Sequence, residues 1–184
     1  MYIIITASPN KDGLTAACGQ AMKTGIEAAH GQVELIDISE EKLSPCLICG
    51  NGWGSCISSA KCVVSDALSD LQAKIRRADG VALVTPVYFG QPSERMKYFL
   101  DRFRRCEAFN QQGSAAKGKP IDLIAAAGGS GNGTAPALVE METWCRHVGA
   151  IPGERIGVTR FNRETMLKAI EAAGARLAAR ASKP

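Results

Sequence analysis

The sequence predicts an α/β fold, a doubly wound five-stranded parallel sheet with helices on both faces, and three observations lead there. Short β-branched runs alternate with stretches of helical periodicity five times along 184 residues. Most of the runs are continuously apolar rather than alternating, as in strands covered on both faces. No segment repeats internally, and a strand–helix–strand order of this kind carries right-handed crossovers between parallel strands.

The first strand is Tyr2-Ile3-Ile4-Ile5-Thr6. After a polar turn, Ala7 to Thr15, small or apolar residues return at Leu14, Cys18, Ala21, Met22, Gly25, Ile26 and Ala29, the spacing of an amphipathic helix. Val33–Ile38 reads as the second strand. Ser39–Ser65 then holds Pro45, Gly50, Asn51, Gly52 and Gly54, and is expected to lack regular structure. A loop of that length is usually functional or disordered, and its cysteines and Trp53 argue against disorder.

A helix is expected from Asp66 to Arg77, with Leu68, Leu71 and Ile75 inward and Ser65 or Asp66 as cap. Val81–Thr85 is the third strand, stopping at Pro86. Pro86 to Pro92 reads as a rigid apolar loop, and a helix resumes at Ser93 with Met96, Phe99, Leu100 and Phe103 on one face. Ile121–Ala127 is the fourth strand, opening into the glycine run Gly128 to Gly133. A helix over Ala135–Val148 directs Leu138, Met141 and Cys145 inward. The fifth strand, Ile151–Val158, contains Pro152 and Gly153 and belongs at a sheet edge. The last helix spans Asn162–Arg180.

With 46% hydrophobic and 22% charged residues, the chain is expected to form one domain over residues 1–184. No apolar run approaches membrane-spanning length and the strand pattern starts at once, so a cytoplasmic protein is expected, with no membrane partner. The net charge of +4 comes without an aromatic-interleaved basic patch, which argues against a nucleic-acid partner. The number of cysteines is odd, seven, and four fall between Cys46 and Cys62, a pattern of free thiols or metal ligands rather than of a disulfide framework.

Ligands of such sheets sit beyond the carboxyl ends of the strands. The loops after the first, third and fourth strands all emerge there. In the first, the Ser8 and Thr15 hydroxyls, the Asn10 amide and Gly13 stand beside unpaired helix N–H groups, which suits a phosphate. The same residues also suit an ordinary capped helix start. No G-x-G-x-x-G or Walker loop is present, which leaves a phosphomonoester cradle of the kind that binds FMN. The Gly113 to Pro120 near-match to a Walker loop lies between a helix and the next strand, the wrong order for a phosphate loop. His30 and His147 fall near helix ends, Cys18, Cys106 and Cys145 on helical core positions, and Trp53 reads as a local packing anchor.

Ser8-Pro9 with Gly13 and Thr15, Ala78-Asp79-Gly80, Pro86-Val87-Tyr88-Phe89-Gly90, Ser93, Lys97 and Asp101-Arg102 together resemble the flavodoxin-like NAD(P)H-dependent FMN reductases. Lys61-Cys62-Val63-Val64-Ser65-Asp66 is similar to their iron–sulfur flavoprotein branch. The resemblance implies strand order 2-1-3-4-5 and an FMN site. Ser8, Asn10, Gly13, Leu14 and Thr15 would serve the phosphate, Pro86, Val87, Tyr88, Phe89 and Gly90 the ring, and Gly128 and Gly129 its other side. It also implies NAD(P)H as co-substrate, a small acceptor such as a quinone or flavin, and a homodimer. No catalytic side chain is expected, because the flavin carries the chemistry.

Two loops depart from the family. An arginine usually stands where Asn10 is and a polar residue where Leu14 is, which moves phosphate binding toward backbone groups. Cluster-bearing relatives show C-x2-C-x2-C and a later cysteine, whereas Cys46, Cys49, Cys56 and Cys62 here give C-x2-C-x6-C-x5-C, with Gly52 at the third place. A [4Fe–4S] cluster, a zinc ion and unligated thiols are the three readings of that loop. An FMN electron carrier and a non-enzymatic redox or metal sensor are the alternatives to an enzyme.

Overall fold

A computed structural model describes residues 1–181. Its strands are β1 (Tyr2–Thr6), β2 (Val33–Asp37), β3 (Gly80–Tyr88), β4 (Gln91–Pro92), β5 (Pro120–Ala127) and β6 (Ile151–Thr159). Its helices are α1 (Leu14–Ala28), α2 (Ser55–Ser59), α3 (Leu68–Arg77), α4 (Glu94–Glu107), α5 (Thr134–His147) and α6 (Arg163–Ala181). The parallel strands run β2-β1-β3-β5-β6, which is the expected order with β5 and β6 as fourth and fifth strands.

The apolar runs are strands because both faces are covered. Ile3, Ile5, Val81, Leu83, Ile121 and Leu123 point to a core shared with α3, α4 and α5, while Tyr2, Ile4, Ala82, Val84 and Ile124 point to one shared with α1 and α6. On the first face Phe99, Phe103 and Trp144 pack with centroids 5.3–6.0 Å apart. Trp144 Nε1 donates to the Leu100 carbonyl at 2.8 Å, so the indole is buried without losing its hydrogen bond. Truncating any of the three would cost about 3–5 kcal/mol. On the second face α1 and α6 cross closely, because a Cβ at Gly174 would lie 2.5 Å from the Met22 carbonyl oxygen.

Three boundaries differ from expectation. The third strand does not stop at Pro86. It runs on to Tyr88 and folds back through Phe89-Gly90 into β4, a two-residue hairpin with φ of 51° and 79°, the type I′ geometry. Proline is tolerated there because β1 ends opposite Val84, so no donor is needed on that side. The cysteine-rich stretch is not wholly irregular, since Ser55–Ser59 forms α2. The helix expected from Asp66 starts at Leu68, with Asp66 Oδ1 accepting the Leu68 N–H at 3.2 Å. Elsewhere the bounds shift by a residue or so, and Ser93 caps α4 by accepting the Met96 N–H. Among the described residues no helix is long and apolar enough to cross a membrane.

Candidate functional site

The carboxyl ends of β1, β3 and β5 bring the three predicted loops to one rim. Ala7 N–H donates to the Val84 carbonyl at 3.1 Å, which fixes the start of the first loop against β3. Ser8 and Thr15 are buried there. Ser8 Oγ donates to the Asn10 carbonyl at 2.7 Å, and Asn10 Oδ1 accepts the Asp12 N–H at 3.0 Å, an Asx turn that shapes the loop. Gly13 N–H is spent on the Asn10 carbonyl at 3.2 Å. The first intrahelical acceptor serves Ala17, so the amides of Leu14, Thr15 and Ala16 have none within the helix. Ser39 Oγ braces the loop from β2 by donating to the Ser8 carbonyl at 2.9 Å.

The second and third loops touch. Gly133, at φ 88°, lies so close to the hairpin that a Cβ would stand 2.7 Å from Gly90 Cα and 3.0 Å from Val87 Cγ1. Around Gly128 and Gly129, by contrast, a Cβ would meet nothing within 4 Å. The backbone there faces open space, which a group approaching along the rim can use. Phe89 is fully exposed, and Tyr88 partly so, at the hairpin tip. Phe161 closes the far side, 3.3 Å from where a Gly131 Cβ would stand.

A cleft of about 480 Å³ opens on the other flank of the first loop, between α1 and β2. Its lining includes Asp12, Asp37 and Glu40, with Lys11 paired to Glu40 at 2.5 Å. That acidic lining is the wrong sign for a phosphate.

The four clustered cysteines line a second feature. Cys46, Cys49, Cys56 and Cys62 surround one small cavity of about 20 Å³, together with Arg102, Arg105 and Cys106 from α4. Among the described residues no three Cys, His, Asp or Glu side chains are arranged to hold a single metal ion. Two staples hold the loop over α4. Arg102 Nη1 and Nη2 bind the Asp66 carboxylate at 2.5 and 3.0 Å, and Nη1 also donates to the Ser44 carbonyl at 3.1 Å. Arg105 Nη1 donates to the Gly52 carbonyl at 2.5 Å and its guanidinium sits 4.6 Å over the Trp53 ring.

The electrostatics of this pair follow from burial and contact. Burial alone would raise the Asp66 pKa, but hydrogen bonds from Arg102, Ser44 and Leu68 outweigh it and hold the carboxyl below its usual range. Burial likewise pulls the Arg102 pKa down, and Asp66 and Cys62 together push it up on balance. The thiols of Cys18, Cys106 and Cys145 are pushed up to about 12, mainly by burial, and stay protonated.

Sequence reasoning placed Cys106 in the core, and it is 1% exposed there, yet it also forms the cavity wall. It missed Arg105 and the role of Arg102. The available signal was a cation at 102 on the helical stripe of Phe99, Phe103 and Cys106, where a charge needs a buried partner. Trp53 packs not within its own loop but against residues more than fifty positions away, edge-on to Phe109 at 5.3 Å and under Arg105, and stays partly exposed. His147 Nδ1 lies 2.8 Å from the Thr143 carbonyl, within its own helix.

Comparison with known proteins adds to this geometry. The family model described as NADPH-dependent FMN reductase matches residues 2–160. An iron-sulfur flavoprotein of Archaeoglobus fulgidus is 27% identical over 90% of this chain and 85% of its own length. One from Methanocaldococcus jannaschii is 31% identical over 54% of this chain and 50% of its own, so there the match spans half of the relative. Among solved structures, an NAD(P)H:quinone oxidoreductase from Methanothermobacter marburgensis superposes with a TM-score of 0.72 at 20% identity, covering 96% of each chain. An archaeal flavodoxin gives 0.65 at 18% identity, covering 98% of this chain and 99% of its own. At those identities the superpositions speak for a flavodoxin-like fold alone. With the family model spanning nearly all of the sheet and its three rim loops, the chain belongs to the NADPH-dependent FMN reductase family.

Proposed function

We propose that the protein is an FMN-dependent oxidoreductase that uses NAD(P)H and a small electron acceptor. The observation that carries this reading is the meeting of the 8–15, 86–90 and 128–133 loops at one rim, with open backbone at Gly128 and Gly129. The chemistry the flavin supplies when bound is acceptance of a hydride from NAD(P)H and delivery of the electrons to an acceptor such as a quinone or free flavin.

The protein's part is binding and orientation. The amides of Leu14, Thr15 and Ala16 and the Thr15 hydroxyl hold the phosphate at the positive end of α1, while the Ser8 hydroxyl stays on the Asn10 carbonyl and shapes the loop. With Asn10 committed to the Asx turn, backbone groups carry most of that interaction. Pro86, Val87, Tyr88 and Phe89 offer apolar surface to the ring, and Gly128 and Gly129 let it approach from the other side. A homodimer is part of the reading, since exposed Phe89 and Phe161 stand beside these loops and leave apolar surface to cover.

A second site accompanies the first. The four cysteines that line one cavity, Cys46, Cys49, Cys56 and Cys62, support ligation of a [4Fe–4S] cluster through their donor chemistry, since thiolates are the ligands such clusters take, and the iron-sulfur flavoprotein of Archaeoglobus fulgidus similar over 90% of this chain supports the same reading. Cys56, delivered by α2, takes the place left by Gly52.

Titration of the purified protein with FMN, followed by flavin fluorescence, and NAD(P)H oxidation by the loaded protein with quinone or flavin acceptors test the reading. Saturable binding at one FMN per chain with turnover supports it. Binding without NAD(P)H oxidation would leave an electron carrier, and no binding would remove both.

A further inference from the structure

Helix α4 closes the cysteine cavity from below, and the group it presents there is unusual. Arg102 is 1% exposed and heads the fully buried side chains by size. Both of its terminal nitrogens are engaged with Asp66 and with the carbonyls of Ser44 and Val64. Its Nε is buried and has no hydrogen-bond partner. The same side chain lines the cavity with the four clustered cysteines.

A buried N–H with nothing to donate to is costly, so the site favours an acceptor in the cavity. The cavity's polar lining is sulfur, apart from Arg102 and Arg105. A neutral thiol accepts poorly, whereas an anionic metal-bound thiolate accepts a charge-assisted bond. Asp66 cancels the guanidinium charge as a whole. What remains is one unpaired donor, Nε–H, on a cavity-lining side chain whose far end is held by a bidentate pair with Asp66.

We propose that Arg102 is a positioning residue of the cysteine site, its Nε–H donating to the Cys62 sulfur once that sulfur ligates the cluster. This rests on the cluster reading above. Hydrogen bonds to ligand sulfur stabilise the more negative, reduced state, so the bond raises the reduction potential of the site.

The test uses the full chain reconstituted anaerobically with ferrous iron and sulfide, as wild type, Arg102→Lys and Asp66→Asn. Iron per chain and the midpoint potential, followed by absorbance, are measured. Both substitutions cut the same staple between α4 and the loop, so a purely structural role moves both variants in one direction. The proposal expects opposite signs. Arg102→Lys, without an N–H at the Nε position, shifts the potential down and loses iron faster; Asp66→Asn keeps the donor, removes a neighbouring anion and shifts the potential up.

Shifts of the same sign, or an Arg102→Lys protein equal to wild type in both readouts, overturn the role of Arg102 and leave the cluster standing. Wild type that takes up no iron overturns both. If Arg102→Lys fails to fold by circular dichroism, Asp66→Asn decides alone on both readouts: an upward shift with iron held as firmly as in wild type supports the proposal, and faster loss of iron, the mark of a cut staple, or any other shift overturns it.

Discussion

Gly133 stands against Gly90 with no room for a side chain, a methyl group at 133 coming within 2.7 Å of Gly90 Cα. This contact joins the loop after β5 to the β3–β4 hairpin and sets the width of the rim. Gly133→Ala meets both the clash and a φ of 88°. We expect a loss of about 1–3 kcal/mol in stability. Urea unfolding should show a lower midpoint at unchanged m-value, and FMN affinity should fall with it.

Gly128 gives the opposite pattern. A side chain there meets no protein atom within 4 Å, so Gly128→Val should leave stability within about 0.5 kcal/mol. The same side chain fills the space assigned to the flavin. FMN affinity should drop on the order of tenfold or more, about 1.4 kcal/mol, by fluorescence titration. Unchanged binding would count against the placement of the ring.

Phe89 holds a left-handed φ of 51° with its side chain fully exposed, an expensive place for an aromatic residue. Asparagine suits that turn position better. Phe89→Asn should therefore stabilise the apoprotein by about 0.5–1 kcal/mol while weakening FMN binding, the signature of a residue kept for its ligand. Thermal unfolding with and without FMN separates the two effects.

Asp122 makes stability depend on pH. It is 1% exposed in β5, one oxygen accepting the Glu154 N–H at 2.8 Å and the other without a partner, and burial pushes its pKa up to about 6. The folded pKa lies above the unfolded one. Its contribution is thus fully present below about pH 4 and is lost as pH rises through about 6, amounting to roughly 3 kcal/mol. Asp122→Asn can still accept the Glu154 N–H and does not ionise. The stability difference between variant and wild type should grow in the variant's favour from pH 4 to pH 7, measured by urea unfolding at each pH.

The sheet was legible in the chain because each central strand is buried on two faces, which demands runs such as Ile3-Ile4-Ile5 and Val81-Ala82-Leu83-Val84 that no surface element would carry. The rim followed from the sheet. Once β1, β3 and β5 are parallel, the loops bearing Ser8, Phe89 and Gly128 must leave from one edge. Local chemistry misjudged Pro86, because whether a proline ends a strand depends on how far the neighbouring strand reaches.

What only the tertiary structure decided is which distant residues share a space. Cys46 to Cys62 form a visible group in the sequence, but Arg102 and Cys106 join them through α4, some forty residues on. A buried arginine is stabilised by partners that come from elsewhere in the chain, here Asp66 and the carbonyls of Ser44 and Val64. Periodicity reports the face of a helix on which a residue lies. Which loop settles on that face is fixed by long-range packing, and no local pattern encodes it.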